Sequence, residues 1–420
     1  MNGSRLVSLP LLAAGSLWIG AADSASAQDT VESLSKRLAE IEAKLPKGGT
    51  SGTSSLGSMF KLYGFLRVDA MYDTARPNNT QLPVFIRSED PSAPAGVRAS
   101  SNDEDFNIHP KLTRVGLEFD GGKIDSLGNA AVTGKLETDF YNATATESRE
   151  ALRIRVAYLQ LKWDQFALYG GQMWDVISPL MPIVNPDMVS WGAGNLADRR
   201  PQVRGEWSQA MGDSKLTVTG MAGATGAVDA QDSDANTYRD GDESAVPTLQ
   251  SRVGWKSGAL ELGAWAHRAK EETDTPVAGH SHFVSSAYGV DFQLPLHGDV
   301  LWLKGELWNG RNLFDVRGGV LQDLGPSGQE IRSEGGFTEL GYKLNDHCKL
   351  HTGWSFDNPE NEDLGGGTNI KQRNTIAYCA ATFDFKPVAF GIHFLRWNTT
   401  YQGFNDGTDN RVQAYLQYSF

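Results

Sequence analysis

From Phe60 onward apolar and polar residues alternate with a period of two, the spacing at which successive side chains of a β-strand point to opposite faces. In the first such segment Phe60, Leu62, Gly64, Leu66, Val68, Ala70 and Tyr72 share one face, and Lys61, Tyr63, Arg67, Asp69 and Asp73 share the other. The pattern returns with Ala130, Val132, Leu136 and Phe140 against Thr133, Lys135, Glu137 and Asp139, and with Leu301, Leu303 and Leu307 against Lys304 and Glu306. Its last occurrence sets Val412, Ala414, Leu416, Tyr418 and Phe420 against Arg411, Gln413, Tyr415, Gln417 and Ser419. One strand of this kind suits a soluble sandwich equally well. Recurrence to the last residues, in about 16 segments, predicts a closed membrane barrel with an even number of strands.

The connections sharpen this expectation. Long ones near 74–106, 141–151, 175–200, 225–247, 269–281, 310–332, 357–371 and 399–409 alternate with short ones near 121–129, 163–165, 209–214, 256–259, 295–299, 345–347 and 386–387. Long loops at one end and tight turns at the other are the asymmetry of extracellular and periplasmic ends. A last strand ending on Phe420 resembles the signal read by the outer-membrane assembly machinery.

Before the first strand the period is different. Arg5 precedes an apolar stretch from Leu6 to Ala22, and Ala25-Ser26-Ala27 precedes Gln28, the arrangement of a secretory signal peptide cleaved after Ala27. Val31, Leu34, Leu38, Ile41 and Leu45 then recur at alternating spacings of three and four, a two-heptad coiled-coil seam that Pro46 ends. A lone helix this short is marginal in water. The seam therefore implies partner copies, the alternative being a helix packed on its own barrel. The expected organisation is signal peptide 1–27, oligomerisation helix 28–46, flexible Gly/Ser/Thr-rich linker 47–58 and transmembrane β-barrel 59–420.

Composition fits without deciding: eleven Trp, twelve Tyr and eighteen Phe would supply aromatic girdles, and a large soluble β-protein shows similar numbers. A net charge of −13 argues against a nucleic-acid partner, which needs a concentrated basic face. The acids gather in loops, Glu89, Asp90, Asp103, Glu104 and Asp105 in one, Asp229, Asp232, Asp234, Asp240, Asp242 and Glu243 in another. Without a recurring carboxylate spacing they read as solvated tips rather than a calcium site.

No nucleophile elbow, zinc-protease signature or phosphate-binding glycine loop occurs in the sequence, so no catalytic residue and no cofactor is expected. His347 and His351 flank Cys348 but lack a third ligand, and no metal site is assigned to them. Cys348 and Cys379 are the only cysteines. If their hairpin is centred near Asp363 and Leu364 they fall nearly opposite one another, leaving open either a cross-strand disulfide or two separate thiols.

The connection from Asp175 to Arg200 carries Pro179, Met181, Pro182, Pro186, Met188 and Trp191, an apolar content costly on an exposed tip. Folding into the lumen would hide it and narrow the pore. It leads into Arg199, Arg200 and Arg204, the last two on one face, and Arg67 and Arg114 also lie opposite apolar neighbours. These five arginines are the candidate pore-lining cations. Glu118, Glu137 and Asp139, together with Asp69, face the same water, and either a positive lumen or ordinary charge balance is compatible with the pattern. Around Arg153 and Arg155 the faces conflict, because Leu152, Ile154 and Val156 compete with Ala157, Leu159 and Leu161 for the outward side, which implies a bulge or phase shift.

The heptad helix, Tyr63-Gly64-Phe65-Leu66-Arg67-Val68-Asp69, Leu152-Arg153-Ile154-Arg155 followed by Ala157-Tyr158, Gly171-Gln172-Met173-Trp174 and Arg200-Pro201-Gln202-Val203-Arg204 together resemble the DcaP-like outer-membrane transporters. The resemblance implies a homotrimer of barrels in outer-membrane lipid, N-terminal helices joined as a periplasmic coiled coil, and a basic constriction favouring small anionic solutes such as dicarboxylates. The expected fold is thus an all-β, 16-stranded antiparallel porin barrel with an N-terminal periplasmic coiled-coil helix. A general or sugar-specific porin is the alternative within the class, and an outer-membrane enzyme or adhesin the alternative outside it.

Overall fold

The computed structural model describes residues 59–80, 83–93, 103–141, 151–184, 190–226 and 231–420. The signal peptide, heptad helix and linker expected from the sequence lie outside the described residues. Seventeen strand segments follow in order: β1 Phe60–Asp73, β2 Asp105–His109, β3 Arg114–Ile124, β4 Ala130–Asp139, β5 Arg153–Lys162, β6 Phe166–Trp174, β7 Arg199–Met211, β8 Ser214–Gly223, β9 Thr248–Ser257, β10 Leu260–Val277, β11 His280–His297, β12 Leu301–Arg311, β13 Arg332–Lys343, β14 Cys348–Pro359, β15 Ile370–Phe385, β16 Val388–Gln402 and β17 Gly407–Ser419. From β3 on, each pairs antiparallel with the next, and β17 returns to β1 with Leu66 opposite Tyr418. Both β2 and β3 pair with β1, at Asp69–Asp73 and Phe60–Phe65 respectively. They are two halves of one strand, broken at Pro110, which has no N–H to give the ladder. The result is a closed sixteen-stranded barrel.

Burial follows the period-two pattern with the polarity of a membrane protein. On β1 and β17 the outward Leu62, Leu66 and Leu416 are 61%, 58% and 53% exposed, while the inward Arg67, Asp69, Asp73, Arg411 and Gln413 are buried. Apolar outside and charged inside is the inverse of a soluble sandwich. No helix among the described residues is long and apolar enough to cross a membrane.

The loop alternation holds with three corrections. The expected connection 269–281 is mostly strand: β10 and β11 run eighteen residues each and meet at a tight turn around Ala278 and Gly279. Its Glu271 and Thr273 still alternate inward and are buried, so the hairpin rises past the apolar belt as an ordered ladder. The connections expected at 357–371 and 399–409 shorten to 360–369 and 403–406, because β14 to β17 extend further than their apolar residues do.

The connection 175–198 enters the barrel, as its apolar content predicts. Its Ile177, Leu196 and Ala197 pack with the inward Trp265, Ala287 and Trp308 and with Leu313 and Val316 of the 312–331 connection. Val184 and Ala193 pack with Ala75 and Ile86 of the first connection and with Ile376, Tyr378, Leu395 and Trp397 of the wall. Backbone and side chain bind it to β12 and β13: Trp308 Nε1 donates to Gly194 O at 2.8 Å, Leu180 N donates to Glu306 at 2.6 Å and Ile183 N to Glu339 at 2.7 Å. Gly194, at φ +123°, lies so close to the wall that a Cβ there would overlap the carbonyl oxygen of Gly336. The described parts of this connection thus line the wall from β10 to β16, and the open water lies along the opposite one.

Candidate functional site

Strand β5 reaches the lumen through a bulge. Glu137 pairs with Val156 and Thr138 with Ile154, so Arg155 is the extra residue. This is the phase shift the sequence required. Before it Arg153 and Arg155 face inward, and after it Tyr158 and Gln160 do, while Ile154 and Leu159 stay exposed on the outside.

The bulge completes a lumenal niche of about 440 Å³ lined by Arg114, Lys135, Glu137, Arg155, Tyr158, Tyr169, Met173, Trp174 and Arg204. Strands β3 to β7 each contribute inward side chains. Four cations line it against one carboxylate, and Asp139 stands behind Arg155 as a second. Glu137 is the hub: Arg155 Nε donates to it at 2.9 Å, Tyr63 OH at 3.0 Å, and the Arg114 guanidinium lies 3.4 Å away. Arg153 and Arg155 both bond Asp139 at 2.8 Å. Arg204 is different. Its guanidinium donates to Gln202 Oε1 at 3.0 Å and to the Trp174 carbonyl, and it forms no ion pair with a carboxylate among the described residues. Arg204 also lines a second cavity, of about 340 Å³, with Glu206, Lys215, Thr217, Thr219 and Arg252 on β7 to β9. It therefore stands between the two cavities.

The remaining sequence candidates divide by what holds them. Arg200 shares the inward face with Arg204 but is wholly buried, bonded to Asp175 at 2.7 Å, to Asp315 at 2.6 Å and to the Ala224 and Asp315 carbonyls. It ties both ends of the inward loop system together and offers nothing to a solute. Arg199 lies over the Trp174 ring and pairs with Asp198 at 3.2 Å. Asp198 also receives Arg317 at 2.9 Å; burial favours its neutral form, yet Arg199 and Arg317 hold its carboxyl below the ordinary aspartate range. Arg67 is buried against Asp69 at 2.6 Å and over the Tyr415 ring. Glu118 faces Lys61 at 3.7 Å, in a third cavity shared with Asp120 and Lys135. Lys135, Tyr158, Tyr169 and Trp174 were not among the pore-lining candidates read from the sequence. The alternation that continues past Val156 into Tyr158 was the available signal for one of them.

Other candidate chemistry separates in space. Thr352, not Cys348, is opposite Cys379, and Cys348 is opposite Phe383. The hairpin is centred two residues later than the cysteine midpoint, which offsets the two by four positions, about 13 Å along a strand. Both cysteines are free thiols, Cys348 buried and Cys379 exposed. His351 is buried and bonded to Glu339 at 3.1 Å, whereas His347 stacks on Phe385 and bonds the Asp384 carbonyl. In the acidic loop, oxygens of Asp232, Asp234 and Asp240 lie within 4.8 Å of one another, but Asp232 and Asp240 accept backbone N–H groups of Asn236, Thr237 and Ser233.

These features define a porin-type barrel: sixteen antiparallel strands, an apolar outer belt, an inward third loop and a charged lumen. Superposition on solved structures agrees, the chain matching the outer membrane channel DcaP of Acinetobacter baumannii with a TM-score of 0.67 at 19% identity, over 88% of this chain and 100% of that one. It matches OmpF of Salmonella typhi with a TM-score of 0.57 at 12% identity (86% and 97% covered), and an anion-selective porin from Comamonas acidovorans with 0.54 at 11% (86% and 99% covered). No family model and no curated protein matches the sequence. The chain has a DcaP-like porin fold.

Proposed function

We propose that this chain is an outer-membrane porin, a passive channel for small polar solutes that prefers anions such as dicarboxylates, and that performs no chemistry on them. The observation that carries the reading is the niche in which Arg114, Lys135, Arg155 and Arg204 outnumber Glu137, with Arg204 lacking a carboxylate partner among the described residues. A carboxylate about 4 Å from a guanidinium gains about 4 kcal/mol at the effective dielectric of a protein surface, against about 1 in bulk water. Arginine also meets a carboxylate with two parallel hydrogen bonds. A solute with two carboxylates can occupy the niche and the Arg204 side of the second cavity in turn. The anion-selective porin among the structural neighbours is consistent with this reading. We place the chain in a homotrimer, with Val31, Leu34, Leu38, Ile41 and Leu45 as its periplasmic seam, on the strength of the heptad pattern and of a trimer-form neighbour, OmpT of Vibrio cholerae.

The test is the zero-current potential across a bilayer in a potassium chloride gradient. The unmodified channel should be anion-selective, and Arg204→Gln with Arg114→Gln should move the potential toward the cation side. Cation selectivity of the unmodified protein, or no movement on neutralisation, would leave a general porin without anion preference. In that reading Glu118 and Asp120 balance Lys61 and Lys135 in the third cavity.

A further inference from the structure

The second cavity holds a carboxylate that an anion channel does not need. Most of the charged residues around it are committed: Asp175 is held by Arg200 at 2.7 Å, Arg252 gives Nε and Nη2 to Asp291 at 2.9 and 2.6 Å, and Lys256 pairs with Glu261. Three are not. Arg204, Glu206 and Lys215 form no ion pair among the described residues, and Glu206 and Lys215 make no side-chain hydrogen bond there either. Arg204 spends Nε and Nη2 on Gln202 and the Trp174 carbonyl, and its Nη1 has no acceptor among the described residues. The register explains why Glu206 stays unneutralised. Small residues flank it at its own level, Ala167 on β6 and Thr219 on β8, and the next residue across, on β9, is the committed Arg252. Arg204 precedes Glu206 by two positions on the same inward face, about 7 Å along the strand. Lys215 lies four positions from Thr219 toward the short-turn end. From the long-loop end downward the unpaired charges therefore run positive, negative, positive.

We propose that the second cavity is a site for acidic amino acids, in which Glu206 takes the ammonium group while Arg204 and Lys215 take the two carboxylates. The inference rests on the anion-preferring channel of the proposed function and narrows its solutes from dicarboxylates to amino dicarboxylates. Charge order carries it. A carboxylate set between two cations repels the carboxylates that they attract, so for a plain dicarboxylate Glu206 is only a cost. It becomes a gain for a solute that carries one positive charge between two negative ones, and the ammonium of an acidic amino acid lies between its two carboxylates. Each cation suits its part. Arg204 already has its fork fixed by Gln202 and Trp174, while Lys215 is exposed on a flexible stem that can follow the second carboxylate. An ammonium donates in three directions, so Glu206 needs no fixed pose to receive it. The cavity, at about 340 Å³, has room for so small a solute and for water around it.

The experiment measures uptake into proteoliposomes of the full-length protein at low solute concentration, with glutarate, L-glutamate and N-acetyl-L-glutamate as probes on one carbon skeleton. Only L-glutamate carries the ammonium, and its net charge is the smallest, so anion preference alone ranks it last. Through the unmodified channel it should instead enter on the order of 10-fold faster than the other two, the worth of one hydrogen bond between charged partners. Glu206→Gln should abolish that lead and return L-glutamate to last place, and Glu206→Asp should keep it. If L-glutamate is no faster than glutarate and N-acetyl-L-glutamate through an unmodified channel that is anion-selective in the potassium chloride gradient, the proposal is overturned and the porin reading stands. That comparison needs no variant to fold. An unchanged ratio in a folded Glu206→Gln channel overturns it as well. A protein that forms no channel, or a cation-selective one, removes the anion-preferring reading and this site with it.

Discussion

The two halves of the barrel use the same dyad for opposite purposes. From β3 to β7 the inward face is charged and wet, and the outward face is apolar to its upper edge. From β10 to β16 the inward face includes Trp265, Trp308, Trp397 and Ile376, packed under inward loops, and the upper outward edge carries Arg268, Lys270, Arg311 and Arg396. One wall is left to the solute. The other holds the loops that set the width of the passage, and its apolar interior is the surface on which they fold. A lumen can therefore be polar where it conducts and dry where it supports, on strands with one common period.

The largest expected effect breaks the support. Arg200→Gln leaves Asp175 and Asp315 buried with no guanidinium, and removing one partner of a buried ion pair costs about 3 to 5 kcal/mol. We expect a lower unfolding temperature and noisy, enlarged conductance, whereas Arg204→Gln should change selectivity and leave stability alone. Equal stability of the two variants would mean that the loop system does not depend on this tie.

The outer surface comes next. Leu66→Arg or Leu416→Arg places a charge on the lipid face, at about 2 to 4 kcal/mol near mid-depth, while the same change at the inward Gln417 should be mild. Folding yield into vesicles, read by heat-modifiable gel migration, separates the two. Equal damage at Leu416 and Gln417 would reverse the assignment of faces.

How much of this was legible follows from where each residue's orientation is decided. The faces of β1 and β17 were readable because one unbroken alternation fixes every side chain, Arg67 and Arg411 inward and Leu66 and Leu416 outward. On β5 it was not, because the bulge at Arg155 is a property of its pairing with β4 and leaves no mark in β5 alone beyond two conflicting phases. The inward tryptophans were hidden for a related reason. The alternation puts Trp308 on the inward face with Lys304 and Glu306, but only the fold shows that a loop more than a hundred positions earlier supplies Gly194 to receive its N–H. Salt bridges were the largest gap: Arg200 and Arg204 share spacing and face, and only the positions of Asp175 and Asp315 tell the tie from the free cation. The cysteine pair failed on register, which a loop midpoint estimated from polarity sets only within a few residues.

A smaller effect tests how tightly the inward loop is held. Trp308→Phe keeps the ring in its apolar cluster and removes the N–H that reaches Gly194, leaving a buried carbonyl without its partner at about 1 to 3 kcal/mol. The melting temperature should fall modestly and open-channel noise should rise, with selectivity unchanged. A quiet channel of unaltered stability would show that packing alone fixes the loop.

The smallest expected effect falls on the cationic edge itself. Asp363 accepts from Arg332 Nε at 2.8 Å and Nη2 at 3.0 Å, and that side-chain hydrogen bonding, ahead of the other influences, lowers its pKa from 3.8. The Arg332 side chain is 53% exposed, so the pair is screened by solvent and contributes little to stability. Because the carboxyl pKa is depressed in the folded state, that contribution is fully present above the ordinary aspartate value and is lost as pH falls through the lowered one. Asp363→Asn should thus leave the melting temperature nearly unchanged at neutral pH and abolish the small acid-side loss.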